Sequence, residues 1–231
     1  MHMHYLDRAS VQAPACLNNY DHTTQTWDDF GGACKEQLRA ALVALQGIPG
    51  VTTAEADEYG VRCAYCECAI FHEGHIEHFR RKNPAHFPEL AFTWTNLFLA
   101  CGSHDHCGHF KDRKSGPHYD PARLIKPDEH DPDQFLYFHS TGEVRVRAGL
   151  TTLEEQQRAC ETIRVFGLDA PALSGERANS VSLYKKRILG DLDEVASWQQ
   201  QDREEYLRSE IQATRWEPYS TTIKHFLMKH I

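Results

Sequence analysis

The 231-residue chain lacks any apolar run approaching the roughly 18 residues of a membrane-spanning helix, so hydropathy excludes such a span. Its first ten residues, MHMHYLDRAS, contain no apolar stretch of the secretory kind, and the expected location is the cytoplasm. There is no internal repeat. An excess of positive charge is also missing. Lys and Arg number 25 against 33 Asp and Glu, a formal charge of -8, which excludes nucleic-acid binding through bulk charge and requires any such binding to be local. At 41% hydrophobic and 25% charged, the chain fits one or two ordinary globular domains. In a reducing compartment its 8 Cys are not expected to form a disulfide framework, and together with 15 His they suggest metal.

The distribution of these residues is uneven. Cys63, Cys66, Cys68, Cys101 and Cys107 lie in or just before the stretch from His72 to His118, which also holds eight of the His. From His78 to Lys126 eight Lys/Arg face four Asp/Glu, a local charge of +4 that leaves -12 for the remainder. A basic middle is flanked by acidic ends.

Three zones follow: 1–60, an irregular segment plus a helix; 61–120, the chemically dense core; and 121–231, a linker, a hairpin and a helical region. ACKEQLRAALVALQ (33–46) has helical spacing ended by Gly47 and Pro49. ECAIF and HIEHF flank His72, Glu73 and Gly74, the pattern of a tight β-hairpin, and CGSHDHCGHFKD supplies a short helix, giving the order ββα. FLYFHSTGEVRVRA predicts a hairpin turning at Thr141 and Gly142. Thr151 and Thr152 can cap LEEQQRACETIRVFGL, and Val181, Tyr184, Ile188, Leu192 and Val195 form a core-facing stripe. QQQDREEYLRSE reads as a solvated helix face.

CAYC (63–66) with Cys101 and Cys107 can close a tetrahedron of soft donors, the arrangement zinc takes in structural sites. His104 and His106, inside the second pair, are alternative ligands. Cys16, Cys34, Cys68 and Cys160 read as ordinary reduced cysteines. A second constellation is HIEHF (75–79), WTN (94–96) and CGHFKD (107–112), in which an acidic-His pair, an Asn and a His can converge on one divalent ion.

This order resembles the HNH, or ββα-metal, nuclease motif over residues 63–112, including Cys pairs that bracket the motif in many HNH proteins. The resemblance implies a metal-dependent endonuclease in which Glu77 is a metal ligand, His78 the general base, Asn96 the residue holding the active loop and His109 the final metal ligand. Gly108 stands where the commonest zinc-bracketed version has Asn. The ion would be Mg2+ or Mn2+, distinct from the structural Zn2+. Arg80, Arg81, Lys82, Lys111, Arg113 and Lys114 are expected to contact DNA phosphates. His72, His75, His86, His104, His106 and His118 read as ordinary histidines, although His75 shares the strand face of Glu77.

CAYCE, IEHFRRKNP, WTNLFLACGSHDHCGHFKD, LIKPDE and ETIRVFGLDAPAL with Arg177 are similar to the nuclease subunit of Septu antiphage systems (PtuB), also found beside some retrons, over roughly residues 35 to 180. That resemblance implies a PtuA-type ATPase partner. The alternatives are a free-standing HNH restriction or repair nuclease and a non-catalytic zinc-dependent nucleic-acid-binding module. The expected fold class is α+β, a small zinc-bracketed ββα core embedded in mostly α-helical flanks.

Overall fold

The computed structural model describes residues 5–71 and 74–229. His72 and Glu73, assigned above to a hairpin tip, lie outside the described residues, as does the side chain of Leu192. The fold is mixed, with seven α-helices, several short 3-10 turns and three small antiparallel sheets of two strands each among the described residues.

Helix α1 (Gly32–Gln46) places Leu38, Leu42, Val43 and Leu45 on one buried side, as its spacing predicts. A short helix absent from the sequence reading, α2 (Thr53–Tyr59), begins with a capping box in which Thr52 and Glu55 satisfy each other's backbone N–H groups. β1 (Val61–Arg62) pairs with β2 (Ala69–Ile70), so CAYC forms the turn between them. β3 (His75–His78) pairs with β4 (Leu97–Ala100), with Glu77 opposite Phe98 and His78 opposite Leu97. The expected hairpin between ECAIF and HIEHF is therefore corrected, because the two segments pair with different strands. The reason is burial: every residue of β4 is buried, and pairing it with β3 satisfies backbone groups that water cannot reach. Helix α3 (Cys107–Asp112) follows, giving the sequence β3, β4, α3.

β5 (Leu136–Phe138) and β6 (Val144–Val146) form the second expected hairpin, and Gly142 in its turn has φ +87, a conformation glycine adopts without strain. α4 (Leu153–Phe166) starts at Thr152, capped with Glu155, and stops at left-handed Gly167. In α5 (Pro171–Val195) the residues Val181, Tyr184, Ile188 and Val195 are buried. α6 (Gln200–Ala213) is largely solvated but buries Leu207.

Two clusters form the core. The larger runs from Leu6 through α1, the first two sheets and α4 to Tyr219, and the smaller joins α5, α6 and α7 (Ser220–Leu227). All eight residues of α7 are buried. Its polar side chains find partners inside the protein: Asp133 lies 2.9 Å from Lys224 Nζ and contacts His225 Nε2, while Glu67 accepts from the backbone and hydroxyl of Thr221. No helix among the described residues is long and apolar enough to cross a membrane.

Candidate functional site

The β1–β2 turn is shaped by its own backbone. Cys63 N–H donates to Cys68 O (3.0 Å), Glu67 N–H donates to Cys63 O (3.2 Å), and Glu67 takes a positive φ. Cys101 leaves β4 and Cys107 opens α3, so the second pair arrives from the neighbouring sheet. Cys63 and Cys107 Sγ are 3.8 Å apart, Cys66 and Cys101 Sγ are 3.9 Å apart, and the remaining sulfur pairs of these four residues lie within 4.8 Å. A tetrahedral zinc with Zn–S near 2.3 Å has sulfur–sulfur edges of about 3.8 Å, so the quartet fits that ion. Cys101 N–H also points at Cys63 Sγ (3.4 Å), an outer contact that stabilises a thiolate.

Two residues border the quartet. His106 Nδ1 lies 3.2 Å from Cys107 Sγ and 3.8 Å from Cys101 Sγ, and Cys68 shares the space of Cys63, Cys66 and Cys101. His104 joins neither group among the described residues. Cys68, read as ordinary from sequence, is therefore part of the cluster. Cys16 and Cys34 also depart from expectation, because they form a disulfide joining the N-terminal segment to α1.

Glu77 and His78 occupy the end of β3, both buried. Burial alone raises a carboxyl pKa, but Lys111 and His75 outweigh it and hold Glu77 at about 2. The contacts are Lys111 Nζ to Oε1 at 2.9 Å and His75 Nε2 to Oε2 at 3.2 Å. Gly108 makes this arrangement possible, since a Cβ there would lie 2.3 Å from Glu77 Oε2.

His78 is fixed on two sides. Its Nε2 is 3.0 Å from Ala91 O, and its ring meets the Trp27 ring edge-on at 4.3 Å between centroids. Burial, helped by Lys82, pulls its pKa down to about 4. Asn96 clamps the intervening loop: Oδ1 accepts from Arg80 N–H (2.8 Å), and Nδ2 donates to Arg80 O (3.0 Å) and Leu90 O (3.1 Å). His109, on α3, stacks on His75 at 4.0 Å and on His104 at 4.8 Å. The structure thus sets Glu77 and His109 against His75, while His78 faces Trp27 and Ala91 and Asn96 clamps the loop after β3.

A polar cavity of about 380 Å³ opens beside His78, lined by Arg81, Lys82, His86, Arg113 and Lys114 together with Asn83 and Asp112. Arg80 stacks over Phe87 at 5.6 Å, and Arg81 is held by Asp112 at 2.9 Å. Lys111 lies elsewhere. It is fully buried, and Glu77, Asp112 (2.6 Å) and His78 O (3.0 Å) surround its ammonium. The expectation that Lys111 contacts phosphate is corrected, since a buried ammonium already paired this way has no path to DNA.

Sequence reasoning missed Trp27, because nothing in the irregular N-terminal segment shows where it lands. It also missed the pairing of Lys111 with Glu77, which an i, i+34 separation does not advertise. A cavity of about 640 Å³ beside Tyr5, Gln46 and Phe135 shares no residue with this cluster.

No family model matches the chain. It is 26% identical over 180 residues to Septu protein PtuB of Bacillus mycoides (strain KBAB4), a match covering 66% of this chain and 59% of that protein. The chain therefore spans about three-fifths of the length of the relative it matches. This distant similarity links it to Septu-type proteins.

Proposed function

We propose that this chain is a metal-dependent DNA endonuclease of the HNH type, serving as the nuclease subunit of a Septu-like antiphage complex with a PtuA-type ATPase. The observation carrying this reading is the placing of Glu77 and His78 on β3, Asn96 just before β4 and His109 on α3, in a β3–β4–α3 unit beside four converging cysteines. Kinship with PtuB supports the defence role.

A phosphodiester repels hydroxide, so its hydrolysis needs positive charge at the phosphate and a base for the attacking water. The soft quartet Cys63, Cys66, Cys101 and Cys107 suits structural Zn2+. Glu77 and His109 offer a carboxylate and an imidazole, donors that suit Mg2+ or Mn2+, and such an ion would supply charge at the phosphate and the leaving oxygen. His78 acts as the base. With its Nε2–H given to Ala91 O, the lone pair at Nδ1 is left to take a proton from water. Its low pKa keeps it neutral at pH 7, and an anionic substrate near Lys82 would offset that cation and strengthen the base. Asn96 holds the loop that carries Arg80. Lys82, Arg113 and Lys114 line the cavity beside His78 and would bind phosphates without reading sequence.

The test is plasmid cleavage with and without Mg2+ or Mn2+. His78→Ala is expected to abolish cleavage while the protein still folds and keeps its zinc, with a lowered melting temperature from the lost buried ring. Nicking by purified His78→Ala at the wild-type rate would overturn the mechanism.

A further inference from the structure

The cavity of about 640 Å³ is built from four separate stretches of chain: residues 5–7, the end of α1, residues 129–135 and Trp216. Its volume lies in the range that holds a whole side chain or a small ligand. The walls are aromatic, from Tyr5, Phe135 and Trp216, and Tyr5 keeps 50% of its surface exposed. Three carboxylates, Asp7, Glu129 and Asp131, stand among these rings, and no Lys or Arg among the described residues lines the cavity. Glu129 is already met by Lys126 at 2.7 Å. Asp7 Oδ1 accepts from Ala9 N–H (2.9 Å) and Asp131 Oδ1 from Asp133 N–H (3.1 Å), neutral donors that fix the two carboxylates in position. His130 adds no positive charge, because burial lowers its pKa and it is neutral at pH 7. The floor is held from behind. Gln46 Nε2 donates to Arg62 O (3.0 Å) and Leu99 O (2.9 Å), Gln46 Oε1 accepts from Leu99 N–H (2.7 Å), and Arg62 Nε donates to Trp216 O (2.9 Å). A cavity formed in advance loses little entropy when it is filled.

We infer that this cavity receives an arginine side chain presented by a partner protein. Aromatic walls beside carboxylates suit a cation that is planar and weakly hydrated, since a guanidinium stacks on a ring and pairs with a carboxylate at once. An ammonium suits them less, being a compact and strongly hydrated charge, and a phosphate is repelled. Arginine is among the side chains that anchor protein interfaces by filling a partner's pocket, and the half of Tyr5 left outside is surface that the backbone flanking such an anchor would cover. No residue proposed for catalysis or DNA binding takes part, so the site is independent of the nuclease reading.

The test titrates the full chain with acetyl-Gly-Arg-Gly-amide and follows its backbone and indole N–H shifts by NMR. Saturable shifts are expected at Gln46, Gln134 and the Trp216 indole. Replacing the peptide's arginine by citrulline, its neutral isostere, should weaken binding about tenfold, and replacing it by lysine about threefold. Asp7→Asn with Asp131→Asn keeps both cap acceptors while removing both charges, and should weaken the arginine peptide about tenfold with melting unchanged. If that double variant does not fold, Tyr5→Ala, which removes an exposed ring, takes its place with the same expected direction. Equal binding of the arginine and citrulline peptides, unchanged binding by the variant, or shifts confined to α5 and α6 overturns the proposal. Propylguanidinium binding as tightly as the peptide would make the cavity a small-molecule site and overturn the assignment of a protein partner.

Discussion

At the scale of single residues, His78 makes a stability prediction independent of catalysis. Its pKa falls from 6.5 to about 4 in the folded chain, so the folded state resists a proton that the unfolded state accepts. Its contribution is fully present above pH 6.5 and is lost as pH falls from 6.5 toward 4, up to about 3 kcal/mol over the interval. Glu77, already ionised, contributes nothing there, since its window lies between 4.5 and about 2. His75, raised against its burial by the Glu77 contact, and Glu67, lifted by burial to about 7, act in the opposite direction. The informative quantity is therefore the difference between wild type and His78→Gln. Urea denaturation at pH 7.5 and pH 5 should show wild type losing about 2 kcal/mol more than the variant. Equal losses would mean that His78 is not buried neutral. The motif made His78 legible in the sequence, but its environment was not, because Trp27 and Ala91 reach it only through the tertiary fold.

At the scale of elements, local signals succeeded where they were self-sufficient. The Thr152–Glu155 box, the Thr141–Gly142 turn and the periodicity of α1 and α5 each specify a structure without distant help. β4 failed that test, since a short apolar run has no decisive period and its pairing with β3 is set by burial. α7 falls in the region read as helical, but its complete burial was not legible, because Asp133, far away in sequence, meets Lys224 and His225 only in the tertiary fold. The Cys16–Cys34 bond encloses the segment that carries Trp27 and Phe30 to His78 and Phe92. Closing a loop of 18 residues should stabilise the oxidised protein by about 3 kcal/mol. Melting with and without a thiol reductant should differ accordingly, and Cys16→Ser should melt identically in both. The cysteine quartet makes a wider claim. Glu67, inside the β1–β2 turn, holds Thr221 of α7, so Cys63→Ser or Cys101→Ser should lose zinc and speed amide exchange in α7 as well as in the turn. Zinc-free protein with normal melting would exclude a structural zinc.

For the molecule as a whole, charge decides how the proposed nuclease meets DNA. The +4 of the segment from His78 to Lys126 is set against -12 elsewhere, so long-range attraction to DNA is weak and the isolated chain should bind or cut DNA poorly, with steep salt dependence. A partner with a basic DNA path would relieve this, and on the proposed function the C-terminal helices would be its contact. Exposed acids on these helices are Asp191, Asp193 and Glu194 of α5 and Asp202 and Glu205 of α6, none of which lines the cavity beside His78. Truncation after Leu150 cannot test this role, because it removes α7, whose eight buried residues complete the core against β5 and the β1–β2 turn. Charge reversal on the exposed face can. Asp202→Lys with Glu205→Lys should leave folding and zinc unchanged and weaken binding to the proposed PtuA-type ATPase about tenfold, mainly by slowing association, with the loss shrinking as salt rises. Cleavage at physiological salt should then fall only when the ATPase is present. If the isolated wild-type chain already cuts DNA at full rate under those conditions, the acidic helices do not serve delivery, and the substrate reaches His78 by a path the chain supplies itself.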